Sequence, residues 1–126
     1  MRFHATSVSG SISGDYYQLS LGLTEAGHEQ TDSYDVAGPY LIVQRQFEMP
    51  DDEQCYVETH DENYIGHFQL RLTEFNSTHL SFEIARESNR NVEVSFALDA
   101  LEFERALRIA EVIFGLREPE SDDDAL

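Results

Sequence analysis

The chain has 126 residues, 40% of them hydrophobic, enough for one domain with a real buried core. Asp and Glu number 25 against 8 basic residues, all of them arginine, for a formal charge of -17 at pH 7. So negative a body repels phosphate backbones and anionic lipid headgroups while attracting basic surfaces, which argues against nucleic acid and membrane and for a cationic protein as partner.

Phe3 to Ser9 is a weak strand candidate at the amino end. The stretch Ser9 to Gly14 carries two glycines but no lysine, so it predicts a flexible hairpin and not a phosphate cradle. Tyr17, Leu19, Leu21 and Leu23 then alternate with Gln18, Ser20, Gly22 and Thr24, the period-two mark of a strand with one buried and one wet face. Glu25 to Gly38 has no apolar period and predicts a mobile acidic loop. In Tyr40 to Phe47 the apolar Leu41, Ile42 and Val43 run together, as in a central strand covered on both faces. Gln54 to Thr59 is another short strand. It holds Cys55, the only cysteine, which excludes an intrachain disulfide and reads as a small buried hydrophobe.

Three further alternating runs follow: Phe68 to Leu72, Leu80 to Ile84, and Val92 to Leu98. Their short connections, rich in Asn and Ser, predict an antiparallel meander. The period changes at Asp99. Glu102 three residues on completes a capping box, and Leu101, Phe103, Ala106, Leu107, Ala110, Ile113 and Phe114 fall at helical spacing. Gly115 and Pro119 end the helix, and the acidic remainder predicts a disordered tail.

The expected architecture is an α+β domain over residues 1–117: a mostly antiparallel sheet of six to seven strands with one carboxy-terminal amphipathic helix packed on one face. Residues 118–126 form the tail. The other sheet face, with Gln18, Ser20, Gln69, Arg71, Ser81, Glu83, Glu93 and Ser95, stays polar. No apolar run reaches the roughly 18 to 20 residues needed to cross a bilayer, and no signal-peptide core opens the chain, so a cytoplasmic protein is expected.

The densest group of reactive side chains is Glu58, His60, Asp61, Glu62 and His67. Glu58, His60, Asp61 and His67 could in principle serve a metal-assisted hydrolase. Yet no His-Glu-x-x-His pair sits on a helix, and Asp61, Glu62 and Asn63 supply ordinary turn chemistry. No serine lies in a nucleophile elbow, no phosphate loop is present, and Asn76, Ser77 and Thr78 read as a turn. Neither catalysis nor a cofactor is expected. Tyrosines recur beside acids: Tyr16, Tyr34, Tyr40, Tyr56 and Tyr64 near Asp32, Asp35, Asp51, Asp52, Glu53, Glu58, Asp61 and Glu62. Phenol with carboxylate grips arginine and lysine well, through ring area and charge-assisted bonds. The candidate partner-binding residues are Asp51, Asp52, Glu53, Tyr56, Glu58, Asp61, Glu62 and Tyr64.

The run Tyr40 to Arg45, then Cys55 to Glu58 with Asp61, Tyr64 to Gly66, the strand through Val94 to Phe96, and a final helix ending Ile113, Phe114 and Gly115 together resemble the immunity protein 10 family of bacterial polymorphic toxin systems. The resemblance spans about the last two thirds of the folded chain. Where the family's second motif continues with an aromatic and Asn-Asp, this chain has Thr59, His60 and Asp61. The resemblance implies a small cytoplasmic protein that binds and neutralises a cognate toxin without catalysis of its own. The charge balance points the same way, because a toxin that acts on nucleic acid needs a basic cleft that a polyanion can occupy. Two other functions fit the sequence: the metal-assisted hydrolase, and an acidic adaptor that assembles through its polar sheet face.

Overall fold

The computed structural model describes residues 1–13, 16–22, 39–46 and 54–116. The expected mobile loop, the acidic tail, and Asp51, Asp52 and Glu53 lie outside them. The chain is α+β and mostly antiparallel, with one carboxy-terminal helix packed on sheet.

The described residues form nine strands in two sheets rather than six or seven in one. They are β1 (Arg2–His4), β2 (Ser7–Ser13), β3 (Tyr16–Gly22), β4 (Leu41–Gln46), β5 (Cys55–Thr59), β6 (Gly66–Phe68), β7 (Leu70–Asn76), β8 (His79–Ile84) and β9 (Asn91–Ser95), followed by α1 (Ala100–Ile113). One sheet has the order β1-β9-β8-β7, the other β2-β3-β4-β5-β6. β1 lies parallel to β9, and every other pairing is antiparallel.

The chain changes sheets at two corners. At the first, the Ala5 N–H donates to Ser95 O of one sheet while the next N–H, of Thr6, donates to Gly22 O of the other, both at 2.8 Å. At the second, Phe68 pairs with Cys55 on β5, Leu70 pairs with Ile84 on β8, and Gln69 stands between them. The apolar alternation through Phe68, Leu70 and Leu72 continues across this corner. Alternation records which side of a strand is covered, not which strand lies beside it.

The segment expected as a hairpin at Ser9 to Gly14 is instead strand as far as Ser13, paired to β3 along its length. Its glycine has a packing reason. A Cβ on Gly10 would sit 2.6 Å from Ile109 Cδ1, so any larger residue would force the end of the Ile109 side chain to move where α1 lies over β2.

Leu19, Leu21, Leu41, Val43 and Val57 of the five-stranded sheet and Leu80, Phe82, Ile84, Val92 and Val94 of the four-stranded sheet are fully buried, with Ala106, Ala110, Val112 and Ile113 of α1. Each large aliphatic side chain so buried contributes about 1.5 to 3 kcal/mol. α1 touches both sheets. It lies over β2, β3 and β4, while Phe103 meets Phe75 of β7 and Phe114 meets Phe82 of β8, at ring-centroid distances of 5.2 and 5.4 Å.

Both helix ends are closed. Asp99 Oδ1 accepts from Glu102 N at 2.8 Å and Glu102 Oε1 accepts from Asp99 N at 3.1 Å, the reciprocal pair expected from the sequence. At the other end Gly115 takes φ +80°, and the N–H groups of Gly115 and Leu116 return to the carbonyls of Val112 and Glu111. Arg45 Nη1 and the Cys55 thiol donate to Ile113 O at 3.2 and 3.5 Å, so β4 and β5 satisfy that carbonyl. Cys55 is buried as expected, and burial pushes its thiol up to about 11. Among the described residues no helix is long and apolar enough to cross a membrane.

Candidate functional site

Because Tyr17, Leu19, Leu21, Leu41, Val43, Cys55 and Val57 point inward, the residues between them form the outer face of the five-stranded sheet. The pairing register aligns them in rows. Ser11 lies opposite Gln18, Gln18 opposite Gln44, Gln44 opposite Tyr56, and Tyr56 opposite His67. In the next row Ser9, Ser20, Ile42 and Glu58 stand side by side. Gln44 Nε2 donates to Gln18 Oε1, and Gln18 Nε2 donates to Ser20 Oγ at 3.0 Å. Ser11, Ser13, Tyr16, Gln18 and Gln44 line a shallow hollow of about 300 Å³.

Glu58 is the one carboxylate on this face among the described residues, and its two oxygens are held separately. Tyr40 Oη donates to Oε2 at 3.0 Å and Tyr56 Oη to Oε1 at 3.1 Å. Tyr40 is fixed in turn by His60, whose Nδ1 accepts the Tyr40 N–H at 3.1 Å and whose ring meets Phe3 edge-on at 5.5 Å. His67 packs against the Tyr56 ring at 5.3 Å. Both phenols are pushed above their ordinary value, first by desolvation, then by the hydrogen bond to Glu58 and its negative charge. Both therefore stay protonated and keep donating. A carboxylate has about four acceptor positions, so the two phenols leave lone pairs for an incoming guanidinium or ammonium.

The outer face of the four-stranded sheet is built differently. Arg2 Nη2 reaches Glu93 at 2.7 Å, and Glu83 receives Arg71 at 2.9 Å and Arg90 at 3.4 Å. Thr73 Oγ1 donates to Ser81 O at 2.9 Å, and His4 Nδ1 lies 2.9 Å from Ser95 Oγ. The hydrogen bond from Arg71 is the main cause that holds the Glu83 carboxyl below its ordinary value.

The sequence candidates divide accordingly. Tyr56 and Glu58 come together on the outer face. Asp61 is committed to structure: Oδ1 accepts from Asn63 N at 3.0 Å, capping a 3-10 turn over Glu62–Tyr64, and its N–H and C=O both meet Thr59 Oγ1 at 2.9 Å. Glu62 is exposed on that turn. Tyr64 is buried, 6% exposed, beneath Arg86, whose guanidinium lies 5.1 Å from the Tyr64 ring and 5.0 Å from Phe68. It presents little surface to a partner. Asp51, Asp52 and Glu53 precede β5 in the sequence and lie outside the described residues.

His60 and His67, named with Glu58 and Asp61 for a hydrolase, each have their own aromatic neighbours, and among the described residues no group of three or more His, Cys, Asp or Glu gathers at metal-binding distance. Tyr40, read from sequence as a tyrosine beside acids, and Gln18, read as a polar-face residue, join this cluster with Gln44, although none of the three is among the partner-binding candidates. Their signal is cross-strand register, which no single strand carries. No family model and no curated protein matches the chain.

Proposed function

We propose that this chain is a non-catalytic immunity protein, of the kind its motifs resemble, that binds and neutralises a cognate bacterial toxin domain in the cytoplasm. The observation that carries the proposal is Glu58, a carboxylate oriented by two phenols on a sheet face where, among the described residues, no arginine pairs with it. A net charge of -17 draws in a basic partner at an accelerated rate, and the fixed carboxylate then receives one of its cations. Tyr40 and Tyr56 supply contact area at low entropic cost, and Gln18, Gln44 and the serines beside them supply neutral hydrogen bonds. Glu62, exposed on the turn after β5, and the sequence run Asp51, Asp52 and Glu53 contribute further negative charge, while Asp61 and Tyr64 are committed to the fold. Binding of this kind requires no bond making, cofactor or metal.

The test is to mix the purified protein with the toxin domain encoded by the neighbouring reading frame. The expected result is a stoichiometric complex on a sizing column, abolished toxin activity, and affinity that falls as salt rises. Free toxin activity in the presence of excess protein, with no complex at low salt, overturns the proposal.

A further inference from the structure

β2 forms one edge of the five-stranded sheet, and among the described residues only β3 pairs with it. Alternate residues of such a strand point their N–H and C=O groups away from the sheet, and natural proteins usually protect such edges with charge, proline or a bulge. β2 has none of these. Its sequence is Ser7, Val8, Ser9, Gly10, Ser11, Ile12, Ser13, without a charged residue in a chain of net charge -17. It also reads alike in both directions about Gly10: serine, β-branched aliphatic, serine, glycine, serine, β-branched aliphatic, serine.

We propose that β2 is the seam of a two-fold symmetric dimer, in which two copies of this chain pair their β2 strands antiparallel about Gly10. An antiparallel strand pair is the simplest self-complementary interface, and a palindromic strand satisfies it with like residues in register. Gly10 then meets its own counterpart, Ser9 meets Ser11, and Ser7 meets Ser13. On the helix side each Val8 meets the other copy's Ile12, which is 50% exposed in the single chain. Ile12 borders a groove of about 330 Å³ between β2 and α1, with Gly10, Ile109, Arg105 and Arg108 along it. The dimer extends the polar outer face across the seam, because Ser9, Ser11 and Ser13 share that face with Ser20, Gln18 and Tyr16. It does not rest on the toxin proposal.

Sedimentation across a salt series tests it and separates the two ideas. Two bodies of like charge repel, so dimerisation strengthens as salt rises, whereas capture of a basic toxin weakens. The wild type is expected to reach twice the chain mass. Ile12→Lys should remain a folded monomer, with association weakened about tenfold or more, although it makes the chain less negative. Register is read by mixing chains carrying Ser9→Cys with chains carrying Ser11→Cys. These should cross-link on oxidation, while Ser9→Cys alone should not, and buried Cys55 takes no part. A single-chain mass at every salt up to about 0.1 mM protein overturns the proposal. So does an unimpaired Ile12→Lys dimer, or cross-linking of Ser9→Cys alone. A monomer whose Ile12→Lys variant loses toxin binding likewise overturns it, by assigning the edge to the toxin.

Discussion

The two sheets share one core but differ on their outer faces. On the four-stranded sheet, arginine and glutamate face each other across strands: Arg2 with Glu93, and Arg71 and Arg90 with Glu83. Its charges are spent internally. On the five-stranded sheet the outer side chains are mostly Gln, Ser and Tyr, with Ile42 and His67 among them, and Glu58, the one carboxylate there among the described residues, is oriented by phenols that leave its charge intact. Exposed ion pairs contribute little to stability and little to binding, because each charge already has its counterpart. A carboxylate held in place by neutral donors keeps its full attraction for an incoming cation, so acidity can be read as a binding device on one face only.

The sharpest way to break this contrast is to reverse one charge on each face. Glu58→Lys is expected to weaken toxin association about 100-fold or more, and Glu83→Lys to leave it within about threefold. Binding isotherms of the two variants check this, and equal losses would erase the distinction. Next in size, replacing both Tyr40 and Tyr56 by Phe removes the donors that orient Glu58. Affinity should fall about tenfold with the fold's melting curve little changed.

A smaller effect concerns the phenols themselves. Their ionisation is raised by burial and by Glu58, so the stabilisation this gives is fully present below the ordinary phenol value of 10.0 and is lost as pH climbs through the raised values. Ultraviolet titration of Glu58→Gln should show both tyrosines ionising at lower pH than in the wild type, and an unchanged titration would detach the phenols from Glu58. The smallest effect belongs to the other face. Glu83 is held low by Arg71, so the pair's contribution is present above the ordinary carboxylate range and fades as pH falls through the lowered value. Arg71→Gln should remove that slight acid-side dependence from the unfolding profile and leave toxin affinity unaltered.

Some of this was readable from residues alone. The helix was, because Asp99, Glu102 and Gly115 are local signals whose meaning needs no distant partner. The meander β7 to β9 was also readable, since alternation and Asn-rich turns sit side by side in sequence. The division into two sheets was not: it depends on which strand lies beside which, and Gln69 interrupts no pattern where the chain crosses. Gly10 of β2 reads as a turn residue in sequence because its packing neighbour, Ile109, lies far along the chain. At the site, Tyr56 and Glu58 two residues apart on a strand had to share a face. That Tyr40 closes over the same carboxylate follows from the β4–β5 register, and that Tyr64 is buried under Arg86, whose guanidinium also lies over Phe68, follows from tertiary packing. Neither leaves a trace in spacing.

The most direct test is nuclear magnetic resonance mapping of the isotopically labelled protein titrated with the toxin domain. The account predicts shift changes centred on Tyr40, Tyr56, Glu58, Gln18 and Gln44, with Arg71, Glu83 and Glu93 undisturbed. Changes centred on the arginine–glutamate face, with the Tyr56 and Glu58 signals unmoved, would contradict it.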